Sequence, residues 1–351
     1  MPHMRACLAG VAAHLPETWI STTEREAQIA AASPGFSPPA GLLTQMTGVE
    51  GVHLIGEDQQ ASDLAVSAAQ KLLADQGTKA SDIDLMIFAA ASQDMAEPAT
   101  SHIVAAKLGL KCPVFDVKNA CNSVLNAIEI TQALIASGQY RTVLITCGEA
   151  LTAYTRLRIP HARAFAQSLP SYGFSDAGCA LLWTAEEATK AGPVHSRGVI
   201  ASRFAADSTA WASATVRTGG TRSAIARSDA QDDDAAYFRM DSTHMRESVR
   251  TLALTQVRPL MNELDLAFED FAFIGVHQVA LADLAYLCGP EVGIPRDKLV
   301  ITLPRHGNVA SASLPLQLSC ALESGMAHPG DLIVLIGLAA GSSAGAVIIR
   351  L

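Results

Sequence analysis

The chain has 351 residues, of which 49% are hydrophobic, 17% charged and 5% aromatic, and its net charge is −9. That length fits one large domain or two packed halves, and with so few aromatics the interior must be filled largely by small residues. The acidic balance argues against a nucleic-acid partner, which needs a Lys/Arg surface, and no apolar run reaches the roughly 18 residues of a membrane span.

Residues 1–10 lack the apolar core of a signal peptide. The seven cysteines, Cys7, Cys112, Cys121, Cys147, Cys179, Cys288 and Cys320, are scattered and form no C-x-x-C pair. That argues against a metal site or a disulfide framework, and for a reduced, cytoplasmic protein with most thiols packed in the core.

In chain order, residues 6–13 read as a strand and 62–76 as an amphipathic helix with Ser62 as its N-cap. Residues 84–91 form an apolar run that reads as a buried strand. A helix follows Pro98. A strand over 113–118 leads to Cys121 and a helix to about 137. Strands follow over 142–147 and 178–184. Residues 204–236 read as a polar loop with an acidic run at 232–234. A helix over 240–264 then leads to a strand over 271–276 ending at His277. After it come a helix over 279–288, a strand over 298–303, a helix over 310–325, and strands over 331–336 and 344–350. Each half thus carries a long helix, a buried strand with a reactive residue at its end, and another helix, which suggests a duplicated α/β unit. In open α/β sheets the chemistry gathers at the C-terminal ends of strands, and Cys121, His277 and Asn308 are all placed there.

Cys121 lies between a strand and a helix. Free N–H groups and the partial positive charge of a helix N-terminus favour a thiolate, and the same N–H groups can hold an oxyanion. Alone, such a cysteine is more often packed core, and His277 and Asn308 alone read as a buried histidine and an N-cap. The three segments together, Asp116 to Cys121, His277-Gln278, and Arg305-His306-Gly307-Asn308, resemble the 3-oxoacyl-ACP synthase III family. Phe174 to Ala180, the small-residue segment Gly337 to Gly345, and Gly10 with Leu15-Pro16 extend the resemblance over nearly the whole chain.

The resemblance implies a thiolase-like five-layered αβαβα sandwich of two duplicated halves, 1–185 carrying the cysteine and 186–351 carrying the His and Asn, assembled as a homodimer. It implies that Cys121 becomes acylated. His277 and Asn308 then stabilise an enolate, and the N–H of Cys121 with one from Leu338 to Gly341 forms an oxyanion hole. His306 packs and supports its loop. The substrates implied are acyl-CoA or acyl-carrier-protein thioesters, with no further cofactor.

Three departures stand out. Leu42 and Met46 replace the family's Trp and Arg that clamp the adenine of coenzyme A, so the usual pose of that cofactor is not expected. Ala282, followed by Asp283, replaces an Arg of the carrier-docking patch, leaving Arg217, Arg222 and Arg250 as candidates. Glu97 precedes Pro98 where an apolar aromatic is usual, and resembles the cross-dimer base of condensing enzymes that make long-chain olefins and pyrones. A helix-start carboxylate is the plain alternative. Three functions follow: Claisen condensation of two acyl thioesters in specialised lipid or polyketide metabolism, acyl transfer from Cys121 to a hydroxyl, amine or carrier, and a non-catalytic partner subunit.

Overall fold

The structure is a computed structural model that describes residues 4–189, 192–221 and 234–351. In chain order the first part runs β1 (Met4–His14), β2 (Trp19–Ser21), α1 (Thr22–Ala32), α2 (Leu42–Thr47), β3 (Gly51–His53), α3 (Ala61–Asp75), β4 (Leu85–Ala89), α4 (Thr100–Leu108), β5 (Val114–Val117), α5 (Ser123–Ala136), β6 (Thr142–Glu149), α6 (Ala162–Ser168) and β7 (Ala177–Glu187). The second part runs β8 (Gly198–Ala206), β9 (Ala214–Thr215), β10 (Arg239–Met240), α7 (Ser242–Glu263), β11 (Phe273–Val276), α8 (Leu281–Leu287), α9 (Leu303–His306), α10 (Ser313–Glu323), β12 (Leu332–Ala339) and β13 (Ser343–Arg350).

Two sheets carry the fold, ordered β1-β7-β6-β4-β5 and β11-β12-β13-β8. In the first, β4 is parallel to β5 and β6, and β7 is antiparallel to β6 and β1. The second repeats this from β4 onward: β11 is parallel to β12, and β13 is antiparallel to β12 and β8. α5 and α10 lie between the sheets and touch both. α3 and α4 cover the outer face of the first sheet and α7 that of the second. This is the αβαβα sandwich of duplicated halves that the sequence implied. Among the described residues no helix is long and apolar enough to cross a membrane.

The core strands read as continuous apolar runs because both faces are covered: every residue of β4 is buried, as is all of β6 except Thr142. At one contact the covering is closer than side chains permit. A Cβ on Gly148 would lie 1.8 Å from the Ala61 carbonyl oxygen, and one on Gly178 1.9 Å from that of Leu64. Gly148 and Gly178 face each other across β6 and β7, so the α3 backbone rests directly on the sheet at this point.

The structure corrects four sequence expectations. The N-cap of α3 is Gln60, not Ser62, and the Asp63 carboxylate accepts the Gln60 N–H at 2.8 Å. β8 runs on to Ala206 and β9 (Ala214–Thr215) lies within residues 204–236, the expected loop. Residues 298–303 form no ladder strand and lead into α9. Asn308 therefore does not follow a strand. Arg222, Asp232 and Asp233 lie outside the described residues.

Candidate active site

Cys121 lies just ahead of α5, whose N-cap is Asn122. The approach is forced. Ala120 holds a φ of +47°, a left-handed conformation that costs an L-residue about 1–2 kcal/mol. The Asn122 amide locks the turn from behind, with Nδ2 donating to Ser343 Oγ at 2.9 Å, while Gly337 leaves room for its oxygen: a Cβ there would lie 2.0 Å from Oδ1. The helix N-terminus is less generous than the sequence suggested. Asn122 N–H donates to Asn119 O at 3.0 Å, Ser123 N–H to Ala120 O at 3.2 Å, and Val124 N–H to Ser311 Oγ at 2.9 Å. Burial, with the Glu149 carboxylate nearby, pushes the Cys121 thiol up to about 12. The expected thiolate is thus replaced by a thiol in the free enzyme, because desolvation outweighs the helix end.

His277 directly follows β11, an edge strand among the described residues. The Gln317 amide stands in for the missing neighbour: its Oε1 accepts Val276 N–H at 3.2 Å and its Nε2 donates to Val276 O at 2.9 Å. The His277 N–H donates to Ile336 O at 3.0 Å. The ring is buried and its Nδ1 has no partner, and burial pulls its pKa down to about 4. The imidazole is neutral at pH 7.

Gln278 explains why 298–303 is not a strand. Its Nε2 donates to Val300 O at 2.7 Å, and its Oε1 accepts the N–H groups of Thr302 and Leu303, each at 3.1 Å. One side chain satisfies the backbone that a neighbouring strand would otherwise pair, and it ties the His277 strand end to the segment leading to Asn308. That segment docks on the first half, with Asn308 N–H donating to Gly173 O at 2.8 Å and Ser175 N–H to Asn308 O at 3.1 Å. Asn308 Oδ1 accepts Ala310 N–H at 2.9 Å. Because a backbone N–H can only donate, the acceptor side of this amide is the one held, and Nδ2 is left as the donor. Asn308 is therefore an Asx-type turn residue rather than a helix N-cap, α10 being capped at Ala312. His306 packs on His53, with His306 Nδ1 and His53 Nε2 at 3.1 Å and the rings stacked 5.3 Å apart, in keeping with a supporting role.

Cys121, His277 and Asn308 line one cavity of about 880 Å³. Leu338, Ala339 and Ala340 line it too, which brings the expected second oxyanion donor segment to the same space. Arg250 also lies on its wall, with its guanidinium 4.0 Å above the Tyr286 ring, and Asp283 lies 3.0 Å from Arg246 Nε. Met46 lines the wall as well. Residues Gln93 to Ala96 reach the cavity, but the next residue, Glu97, is exposed on the molecular surface and does not join the other three.

The sequence missed Glu149. It is fully buried at the end of β6, its Oε1 accepting Ala91 N–H at 2.9 Å and Ser311 N–H at 3.2 Å, its Oε2 accepting Ser92 N–H at 3.0 Å. Burial pushes its pKa up to about 7 against those hydrogen bonds. The signal was present: a carboxylate closes an otherwise uncharged run, Thr142 to Gly148. Lys118 was likewise unassigned. Its Nζ donates to Ala91 O at 2.6 Å and Gln93 Oε1 at 3.2 Å, tying the segment ahead of Glu97 to the strand ahead of Cys121.

A duplicated thiolase sandwich with Cys, His and Asn converging on one cavity defines the class, and comparison with known proteins agrees. The family pattern "Thiolase, N-terminal domain" matches residues 42–260, and "3-Oxoacyl-[acyl-carrier-protein (ACP)] synthase III C terminal" matches 261–351. The beta-ketoacyl-[acyl-carrier-protein] synthase III of Ruegeria sp. (strain TM1040) is 29% identical over 350 residues, 99% of each chain. That of Cereibacter sphaeroides is 29% identical over 349 residues, again 99% of each chain. Among solved structures, a variant of Xanthomonas campestris OleA superposes with a TM-score of 0.86 at 22% identity, covering 100% of this chain and 99% of the other. The 3-oxoacyl-(acyl carrier protein) synthase III of Xanthomonas oryzae gives 0.85 at 22% identity with 100% of both covered. The chain belongs to the thiolase superfamily, among its 3-oxoacyl-ACP synthase III-like condensing enzymes.

Proposed function

We propose that the protein joins two acyl thioesters by a Claisen-type step, with Cys121 carrying the first acyl group. The observation that carries this reading is the held Asn308 amide, whose free Nδ2 donor lines the same cavity as a neutral His277 and Cys121. Two neutral donors suit a thioester carbonyl that becomes an enolate, because they stabilise the developing charge without giving up a full proton. Acyl transfer to a hydroxyl or amine needs only a base and leaves Asn308 without a use, so condensation is favoured.

In the first step the Cys121 sulfur attacks the donor thioester and the departing thiol takes up the proton Cys121 loses, so the exchange is proton-neutral overall. His277 can relay that proton. In the second step the enolate of a second acyl, malonyl or β-ketoacyl thioester attacks the acyl-Cys121 carbonyl. A carbon–carbon bond forms, the bond to sulfur breaks, and Cys121 is released. The donors are acyl-CoA or acyl-carrier-protein thioesters, and the chemistry calls for no other cofactor.

The source of the enolate is assigned to Glu97 from the partner copy. In this reading two chains pair along β5, an edge strand of the first sheet whose Phe115 is 36% exposed. The Glu97 segment lies beside that edge, because the Asp116 carboxylate of β5 accepts the N–H groups of Thr100 and Ser101 at 3.0 and 2.8 Å. With Glu97 as base, condensation proceeds by proton abstraction rather than decarboxylation. Glu97→Gln is expected to keep Cys121 acylation and to abolish product, and normal condensation by that variant would refute the assignment.

Intact-mass measurement with a panel of acyl-CoA and acyl-carrier donors tests the whole reading. A Cys121-dependent adduct identifies the first substrate, and a condensed product on adding a second thioester completes it. No mass shift with any thioester would refute the reading.

A further inference from the structure

The two halves enter their central helices by the same turn. α5 and α10 begin at Ser123 and Ser313. Three residues ahead of each, Ala120 holds a φ of +47° and Ala310 one of +41°, a region that alanine rarely occupies. Asn122 N–H donates to Asn119 O and Ala312 N–H to Val309 O, both at 3.0 Å. Ser123 N–H donates to Ala120 O, and Ser313 N–H to Ala310 O. Cys121 in the first half is therefore Ser311 in the second. The strands agree. β6 and β12 are each 8 residues long and end at Glu149 and Ala339. The second residue of each, Val143 and Ile333, pairs with the first residue of its parallel neighbour, Leu85 of β4 and Phe273 of β11. Glu149 thus corresponds to Ala339, which lines the cavity of Cys121.

The two turns differ in what their N–H groups meet. Ser311 N–H, in the place of the Cys121 N–H, donates to Glu149 Oε1 at 3.2 Å, and Ala91 N–H donates to the same oxygen at 2.9 Å. Two backbone N–H groups converging on one oxygen at a helix entrance are the donor set of an oxyanion hole. In the second half that hole is filled by a side chain of the protein. In the first half the corresponding side chain is the methyl of Ala339, and the space beside Cys121 is left to substrate. The filled turn also carries Asn308, whose Oδ1 accepts Ala310 N–H at 2.9 Å. Ser311 Oγ accepts Val124 N–H of α5 at 2.9 Å. Glu149 therefore clamps the Asn308 turn onto the helix that follows Cys121. Through Oε2, which accepts Ser92 N–H at 3.0 Å, it also clamps that turn onto the end of β4.

We propose that Glu149 is a positioning residue for the condensation step. Its carboxyl group occupies a silenced oxyanion hole in the second half, the counterpart of the one at Cys121, and so fixes the Asn308 donor relative to Cys121. The second half keeps the turn of an acylation site and uses it as a clamp. The proposal rests on the condensation reading in giving Asn308 its role, so its test reads anion binding and catalysis separately.

Glu149→Ala leaves a hole lined by the N–H groups of Ala91, Ser92 and Ser311, which a small carboxylate can refill. In this variant Cys121 acylation, read by intact mass, is expected to persist, while condensation falls about 10²-fold, the loss that follows a misplacement of about 1 Å. Sodium formate is expected to raise the Tm of the variant saturably and to restore condensation. Sodium chloride at equal ionic strength and neutral formamide are expected to do neither, and wild type is expected to respond to none of the three. A folded Ala variant that condenses like wild type, or whose Tm and rate ignore formate, overturns the proposal. So does an equal response of wild type, and so does acylation lost in proportion to condensation, the mark of a general packing defect. If the Ala variant does not fold, Glu149→Gln decides. Its amide has one acceptor oxygen for N–H groups that lie on both oxygens of the carboxyl. Condensation is then expected to fall relative to acylation, with no rescue by formate, and a wild-type ratio overturns the proposal. If no thioester acylates wild-type Cys121, the condensation reading falls and takes the positioning role with it. A formate-dependent Tm of the Ala variant would still establish the filled hole, and its absence would overturn that too.

Discussion

Burial governs the titrating groups around the nucleophile, and two of them oppose each other. Glu149 has its pKa raised from 4.5 to about 7. The folded state holds that proton more tightly, so its contribution to stability is present in acid and is lost as pH rises through 7. His277 has its pKa lowered from 6.5 to about 4. Its contribution is present above 6.5 and is lost as pH falls toward 4. Between about 4.5 and 6.5 the two slopes cancel. Glu149→Gln removes one of them, so relative to wild type the variant is expected to lose stability on acidification at about 1.4 kcal/mol per pH unit. Denaturant melts at several pH values check this, and parallel profiles would refute it. The thiol itself predicts that alkylation of free Cys121 climbs steadily from pH 7 to 10, with no plateau near neutrality. Asn308→Asp keeps an acceptor for Ala310 N–H but removes the Nδ2 donor. It is expected to leave Cys121 acylation intact and to cut condensation by about 10²–10³-fold, read by intact mass and product formation. These three residues were legible because a Cys, a His and an Asn each carry a recognisable sequence context. Glu149 was not, because its function is to accept three backbone N–H groups from segments distant in sequence.

At the scale of elements, the sequence was legible wherever one period or one unbroken apolar run governs a segment. β4 and β6 read as buried strands, and α5 begins where the junction after Cys121 predicts a helix. It failed where a side chain from elsewhere takes the place of a strand. Residues 298–303 have the composition of a strand, but Gln278 occupies their hydrogen bonds. Gln278→Ala leaves one half-buried carbonyl and two buried N–H groups unpaired. It is expected to cost about 2 kcal/mol or more, seen as a lower Tm, and to weaken condensation by loosening the approach to Asn308. The glycines under α3 were equally silent, since Gly148 and Gly178 gain meaning only once the helix is known to lie on them. Either one changed to Ala pushes on a backbone carbonyl rather than a movable side chain, and a stability loss at or beyond the usual 1–3 kcal/mol of overpacking is expected by thermal melt.

For the molecule as a whole, the duplication was legible as a repeated order of elements, and the structure gives it substance: β11-β12-β13-β8 repeats β4-β6-β7-β1. The second half has no ladder strand in the place of β5 among its described residues, so on that side the first sheet ends at β5 and the second at β11. If two chains pair along β5, Phe115→Asp is expected to convert a dimer to a monomer in light scattering and to abolish condensation. The exposure of Glu97 on that side of the molecule has a genetic consequence. A chain with Cys121→Ser keeps its Glu97, and a chain with Glu97→Gln keeps its Cys121. If Glu97 serves the partner's site as proposed, each alone makes a dead enzyme. Co-expressed, half of the randomly assorted pairs would contain one whole site, so two null alleles would complement each other within a single assembly.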